Sequence, residues 1–180
     1  MYWYALFVET NKEEVVQKYL NKYFDESVLK AIIPKRLVPE RREGSMQHIS
    51  KKMFPGYVLI STELNENIYH LLKKIPRCYR ILQPGNHFNK ENAFDYCRIK
   101  DEEITPLIML LGEGDTIEYS HIYIVNSKVF VNSGPLKGME GIIKKIDKRK
   151  NRAKILLNFL GTEKTFDVGI EILKYSTPVH

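Results

Sequence analysis

The sequence predicts an α+β protein in two parts, an α/β sandwich followed by a small all-β barrel. Three observations carry this. Strand-like and helix-like patterns alternate over roughly the first 110 residues in the order βα, β-hairpin, αβ, and from Lys128 onward short β-prone runs are separated by Gly, Asn, Ser and charged turns. The charge changes in the same region: residues 1–126 carry 17 Lys/Arg and 17 Asp/Glu, whereas residues 127–174 carry 11 against 5. The whole net charge of +6 therefore belongs to the last quarter of the 180-residue chain.

Tyr2 to Val8 is a continuous aromatic and β-prone run, the pattern of a central strand buried on both faces. A helix follows, with Thr10 and Asn11 as candidate N-caps, Glu13 and Glu14 three residues on, and Val15, Val16, Tyr19, Leu20, Tyr23 and Phe24 at a spacing near 3.6. Two strand-like runs, Ala31 to Val38 and Phe54 to Ser61, enclose the polar stretch Pro39 to Lys52, which is expected to be a long hairpin with a mobile tip. Ile68, Leu71, Leu72 and Ile75 mark a second helix that ends near Pro76, before a short strand around Arg80 to Leu82. Asp101 to Leu111 is a third helix with Pro106 near its first turn, ended by Gly112 and Gly114. Residues 115–126 are too apolar for a flexible linker, and part of them is expected to pair or pack as a strand. The barrel strands are then Lys128–Val131, Gly141–Ile146, Ala153–Phe159 and Lys164–Val168. The expected division is 1–113, a connection at 114–126, and 127–180.

The composition, 43% hydrophobic and 28% charged, is that of a soluble globular chain. The longest apolar runs fall far short of the roughly 18 residues of a membrane span. No basic region or small-residue cleavage site accompanies the first apolar run, so a cytoplasmic protein with no membrane partner is expected. Cys78 and Cys97 lie 19 residues apart with no partners at metal spacing, and reduced, inert thiols are expected. The histidines His48, His70, His87, His121 and His180 are dispersed and form no metal pair or catalytic signature. Val8 to Lys12 contains no glycine, which excludes a phosphate-binding loop after the first strand. The sequence thus points away from enzymes and cofactors and toward binding.

Two strings carry the binding reading. Phe54-Pro55-Gly56-Tyr57 opens a strand where proline removes a ladder donor and glycine leaves the backbone bare beside two aromatics. Such a place is either ordinary strand entry with core aromatics or an apolar anchor for a partner helix. Val131 to Ile143 holds Gly134-Pro135, Gly138 and Gly141 between hydrophobic strands, a set of tight turns. Beyond it, Lys137, Lys144, Lys145, Lys148, Arg149, Lys150, Arg152 and Lys154 face only Glu140 and Asp147, a +6 concentration within 18 residues that suits a polyanion.

In that order and 77 residues apart, these strings resemble the NusG family of transcription elongation factors over nearly the full chain. Trp3-Tyr4, the helix after Thr10, and Phe54 to Tyr57 are similar to the family's N-terminal NGN domain. Val131 to Ile143 is similar to the start of a KOW domain, an SH3-like β-barrel. The resemblance implies an NGN domain that sits on the RNA polymerase clamp and receives the tip of its coiled coil in an apolar pocket. Phe7, Phe54, Pro55 and Tyr57 occupy the matching positions. It also places Lys73, Lys74, Arg77 and Arg80 near the upstream fork and the non-template DNA. A monomer without cofactors is expected.

The chain departs from the housekeeping pattern. Asn158-Phe159-Leu160-Gly161-Thr162 stands where an Ile-Phe-Gly-Arg string helps bind the termination factor Rho or a ribosomal protein, and Lys74 to Cys78 replaces an Asn-Thr-Pro-Gly-Val stretch. Trp3 to Thr10, Gly134 to Gly138, Ile146 to Lys150 and Gly169 to Ile172 are most similar to the LoaP branch of antiterminators. That likeness implies recruitment by an RNA hairpin in an operon leader, and contact through Lys137, Lys144, Lys148, Arg149, Lys150, Arg152 and Lys164, with Arg149 and Arg152 ranked first for bidentate contacts. The housekeeping alternative is a factor whose KOW domain binds Rho or the ribosome.

Overall fold

The computed structural model describes residues 1–82 and 98–174. Cys97, His87 and His180 lie outside them. The fold is α+β, and contacts divide the chain into two compact units that interleave in sequence. One comprises Met1–Pro34, Lys52–Thr105 and Phe159–Thr162; the other comprises Lys35–Lys51, Pro106–Asn158 and Glu163–His180.

The first unit is built on a sheet of order β2-β5-β1-β6, formed by β1 (Tyr2–Val8), β2 (Leu29–Ile32), β5 (Tyr57–Thr62) and β6 (Cys78–Ile81). β1 is central, as its unbroken apolar run predicts, and pairs antiparallel with β5 and β6. Tyr4, Leu6 and Val8 alternate along it into a core that also takes Val16 and Leu20 from α1 (Glu13–Tyr23) and Ile68 and Leu72 from α2 (Glu66–Leu72). Each such fully buried aliphatic side chain is worth about 1.5–3 kcal/mol relative to exposure.

Helix starts followed two different rules. Asn65 caps α2 as expected of an Asn, its side chain accepting from the Ile68 N–H at 3.0 Å. At α1 the predicted caps are not used: Lys12 is the N-cap residue and makes no side-chain cap bond. Glu13, expected to support a cap, is fully buried and engaged elsewhere.

The second unit holds the long hairpin of β3 (Lys35–Arg42) and β4 (Ser45–Lys52). The predicted strand Ala31–Val38 is broken at Ile33-Pro34, whereas the polar stretch Pro39–Lys52 forms the expected long hairpin. Glu43 and Gly44 both have positive φ, 50° and 81°, the backbone of a turn whose twist matches a hairpin whatever the polarity of its arms. β7 (Thr116–Ile117) pairs parallel with β3. α3 (Asp101–Leu111) matches its predicted span, with Pro106 inside it and Gly112 at φ +62° just beyond.

The barrel-like sheet runs β10-β11-β12-β8-β9. Its strands are β8 (Ser120–Val125), β9 (Lys128–Ser133), β10 (Ile143–Asp147), β11 (Arg152–Phe159) and β12 (Thr162–Ile172). β8, drawn from the apolar stretch 115–126, joins β12 in parallel and β9 through the two-residue turn Asn126-Ser127. Ile122, Val131, Ala153, Ile155, Leu157, Phe166, Val168 and Ile170 are buried, every second residue along most strands. Gly134 explains its own identity: at φ +93° a Cβ there would lie 2.6 Å from the Tyr119 carbonyl oxygen and 2.7 Å from Ser120 Cα. The fully buried Ser120 hydroxyl accepts the Leu136 N–H at 3.0 Å, which fastens the Gly134-Pro135 turn to β8.

Candidate functional site

The first candidate surface lies at one end of β1. Phe7 stands in register with Tyr57 on β5 and with Arg80 on β6. Its ring is 5.7 Å from that of Tyr57 and 5.6 Å from that of Tyr79, and the Arg80 guanidinium lies 5.8 Å from its centroid. Phe7 and Tyr57 are half-buried while Tyr79 is 61% exposed, so the cluster is a surface aromatic patch with a cation at its edge. Tyr79 was missed because the sequence puts the strand start at Arg80; β6 starts at Cys78 instead.

The turn Phe54-Pro55-Gly56-Tyr57 abuts this patch. Pro55 and Gly56, with φ +84° at Gly56, form a turn in which the Tyr57 N–H donates to the Phe54 carbonyl at 3.1 Å. The Gly56 carbonyl accepts the Val8 N–H at 2.9 Å, and the Gly56 N–H donates to Glu13 Oε1 at 2.7 Å. Lys52 Nζ donates to Glu13 Oε2 at 2.6 Å and to Glu14 Oε2 at 2.7 Å. Burial pushes the Glu13 carboxyl up, but the Lys52 and Gly56 hydrogen bonds outweigh it and leave the pKa below its ordinary value. Glu13 thus ties the turn to α1, beside the backbone bonds to Phe54 and Val8. No sequence signal distinguishes it from an ordinary first-turn acid.

Pro55 is exposed, but Phe54 is not: it is 4% exposed and stacks on Phe159 with centroids 3.9 Å apart and planes 23° apart. The Gly161 N–H donates to Glu103 Oε1 at 2.7 Å beside it. Phe54 is therefore covered in this structure, and so is Phe159, which is 1% exposed.

Of the predicted DNA-proximal residues, Lys73, Lys74, Arg77 and Arg80 are all exposed. Lys73 Nζ lies 4.4 Å over the Tyr69 ring, and Arg77 is paired with Glu9 at 2.5 Å. Cys78, between them and the patch, is half-buried, and burial pushes its thiol up to about 11, so it is a thiol rather than a thiolate at neutral pH.

The second candidate surface is on the barrel. Asp147 and Arg152 pair across β10 and β11, and the turn between them carries Lys148, Arg149 and Lys150. Asp147 Oδ1 accepts the Lys150 N–H at 3.0 Å, and Asn151 takes φ +49° to close the turn. Lys148, Arg149 and Lys150 are exposed, as are Lys144, Lys137 at the glycine-rich turn, and Lys164 on β12. Arg152 departs from its predicted role. Its guanidinium donates to the Pro39 carbonyl from Nε at 3.1 Å and from Nη2 at 2.5 Å, and it lies 3.9 Å from Glu40 and 3.7 Å from Asp167. It is half-buried and its donors are turned to the β3 hairpin. Arg36 beside it is likewise internal, donating to the Asp167 carbonyl, and burial lowers its pKa despite the nearby Asp167.

These surfaces offer apolar docking and anion binding. Among the described residues no group of three or more His, Cys, Asp or Glu is arranged to hold a metal, and no helix is long and apolar enough to cross a membrane.

Comparison with known proteins places this architecture. Residues 1–108 match the family described as "Transcription termination factor nusG", and residues 125–155 match the KOW motif. A transcription termination/antitermination protein NusG from Buchnera aphidicola is 29% identical over 164 residues, covering 91% of this chain and 84% of that one. Its Haemophilus influenzae counterpart is 27% identical, covering 88% and 85%. Among solved structures, one on domain interaction in Thermotoga maritima NusG aligns with a TM-score of 0.55 at 21% identity over 93% of each chain, a likeness of fold.

Proposed function

The chain belongs to the NusG family, and from that premise we propose that it is an antitermination factor of the LoaP kind, holding RNA polymerase with its aromatic patch and a leader RNA with its barrel. The family consists of transcription termination/antitermination factors and not of enzymes. The observation that carries the finer reading is the exposed turn Lys148-Arg149-Lys150 on a barrel that holds the chain's entire charge excess.

In this reading Phe7, Pro55 and Tyr57 receive the tip of the polymerase clamp's coiled coil, Phe54 joins them once Phe159 moves aside, and Tyr79 widens that surface. Aromatic walls around a rigid turn suit a helix-tip anchor. Lys73, Lys74 and Arg80 supply positive charge toward the non-template DNA. The RNA contact falls to Arg149 first, then to Lys137, Lys144, Lys148, Lys150 and Lys164, because Arg152 is engaged internally. A-form RNA hides base edges in its deep groove, so such residues read phosphates and unpaired bases. The protein makes and breaks no bond; by bridging polymerase and a leader RNA it suppresses pausing and intrinsic termination in the cytoplasm.

A housekeeping role rests equally on the relatives, whose names describe general NusG proteins. The charge excess of residues 127–174 favours the specialised reading. Fluorescence anisotropy of the full chain on a hairpin from its native operon leader distinguishes them. Binding tighter than to a scrambled hairpin, with a log–log salt slope of roughly 4 to 5, is expected. Equal binding to both hairpins would refute the specialised reading.

A further inference from the structure

β9 and β10 are the two terminal strands of the five-stranded sheet, and among the described residues no pairing joins them. A cavity of about 310 Å³ opens between them, at the small end of ligand sites. Apart from Ser127 and three lysines, its lining is aliphatic. Ile124 and Val129, opposite one another on β8 and β9, form one side, and Ile143 and Ile146 of β10 form the other. All four are half-buried although they occupy barrel-strand positions. The rim is cationic: Lys144, Lys145 and Lys148 line the cavity and are exposed.

We infer that this seam between the terminal strands is a binding slot for an unstacked nucleobase, with Lys144, Lys145 and Lys148 holding the flanking phosphates. The inference rests on the RNA-binding reading above and specifies it. The slot sets four aliphatic side chains beside Ser127 and three lysines, so a bare phosphate or a carboxylate would leave its apolar part uncovered. Its rim favours a polyanion. A nucleotide combines both requirements, a flat and largely apolar ring on an anionic backbone. Bases in a duplex are stacked and cannot enter, so the source is a loop or bulge, whose splayed bases proteins hold between apolar side chains. The slot adjoins Lys148 at the start of the basic turn, so one RNA can lay its stem phosphates on Arg149 and Lys150 and place a loop base between the isoleucines.

The test compares two labelled probes on the full chain at low salt: decaadenosine RNA and a ribose-phosphate decamer of the same charge without bases. The slot predicts roughly tenfold tighter binding of the base-bearing probe, within the range of a single stacked base. Ile146→Ser should abolish that ratio, whereas Lys148→Ala should weaken both probes alike. Because Ile146→Ser can unfold the barrel, the unaltered protein is also titrated into decaadenosine carrying one 2-aminopurine, whose emission should change on saturation. Equal affinity for both probes, or competition by deca-glutamate as effective as by RNA, overturns the slot and leaves the phosphate-binding turn standing. Failure of both probes to bind overturns the slot, and failure of the native leader hairpin to bind as well overturns the RNA reading.

Discussion

Glu13 occupies the first turn of α1, yet its carboxylate is fully buried between the Gly56 N–H and the Lys52 ammonium. Because its pKa is lowered in the fold, the stability it contributes is complete above the ordinary value of 4.5 and is lost as pH falls through the lower folded value. Glu13→Gln should therefore cost about 2 kcal/mol at neutral pH, as expected for hydrogen bonds to a charged group. It should also flatten the acid limb of the stability curve, measured by urea unfolding from neutral pH down to pH 3. An unchanged acid limb would show that other carboxylates set it. Phe159 is the second decisive residue. On the proposed role of Phe54, the ring that covers it must move before a polymerase helix can pack there. Phe159→Ala should then lower folding stability by about 3–5 kcal/mol while raising retention on immobilised polymerase. Lower retention by a folded Phe159→Ala protein would instead make Phe159 part of the docking surface.

At the level of elements, the glycine-rich turn after β9 and the basic turn after β10 behave differently. Gly134→Ala drives a Cβ into backbone atoms of Tyr119 and Ser120 at a positive φ, so a loss of at least about 2 kcal/mol is expected in thermal unfolding. A neutral result would mean that the Ser120–Leu136 fastening yields more readily than the geometry implies. The two arginines ranked together by sequence should separate. Arg149→Ala should reduce the RNA salt slope by roughly 0.7–0.9 with little effect on stability. Arg152→Ala should destabilise the protein, because it strips the Pro39 carbonyl of its donors and leaves Asp167 and Glu40 without that cation. What the sequence made legible were features with strong local causes: the apolar β1, the 3.6 spacing of α1 and α2, and the span of α3. What escaped it depended on distant partners. Arg152 looks like any other cation in a basic run until Pro39 arrives, and Glu13 looks like a capping acid until Gly56 does. The hairpin of β3 and β4 is legible, whereas the break of the Ala31–Val38 run at Ile33-Pro34 is not.

For the whole molecule, the division of charge is the organising fact. A neutral first 126 residues and a +6 remainder suit one part that grips protein through aromatics and one that grips nucleic acid through cations. The two contacts should accordingly respond differently to salt, with polymerase retention nearly constant where RNA affinity falls steeply. Their joint purpose is tested most directly by in vitro transcription through tandem intrinsic terminators, with and without the protein, on templates bearing or lacking the native leader. Readthrough that rises with the protein only when the leader is present is the predicted result. Readthrough indifferent to the leader, or termination unchanged on both templates, would contradict leader-recruited antitermination.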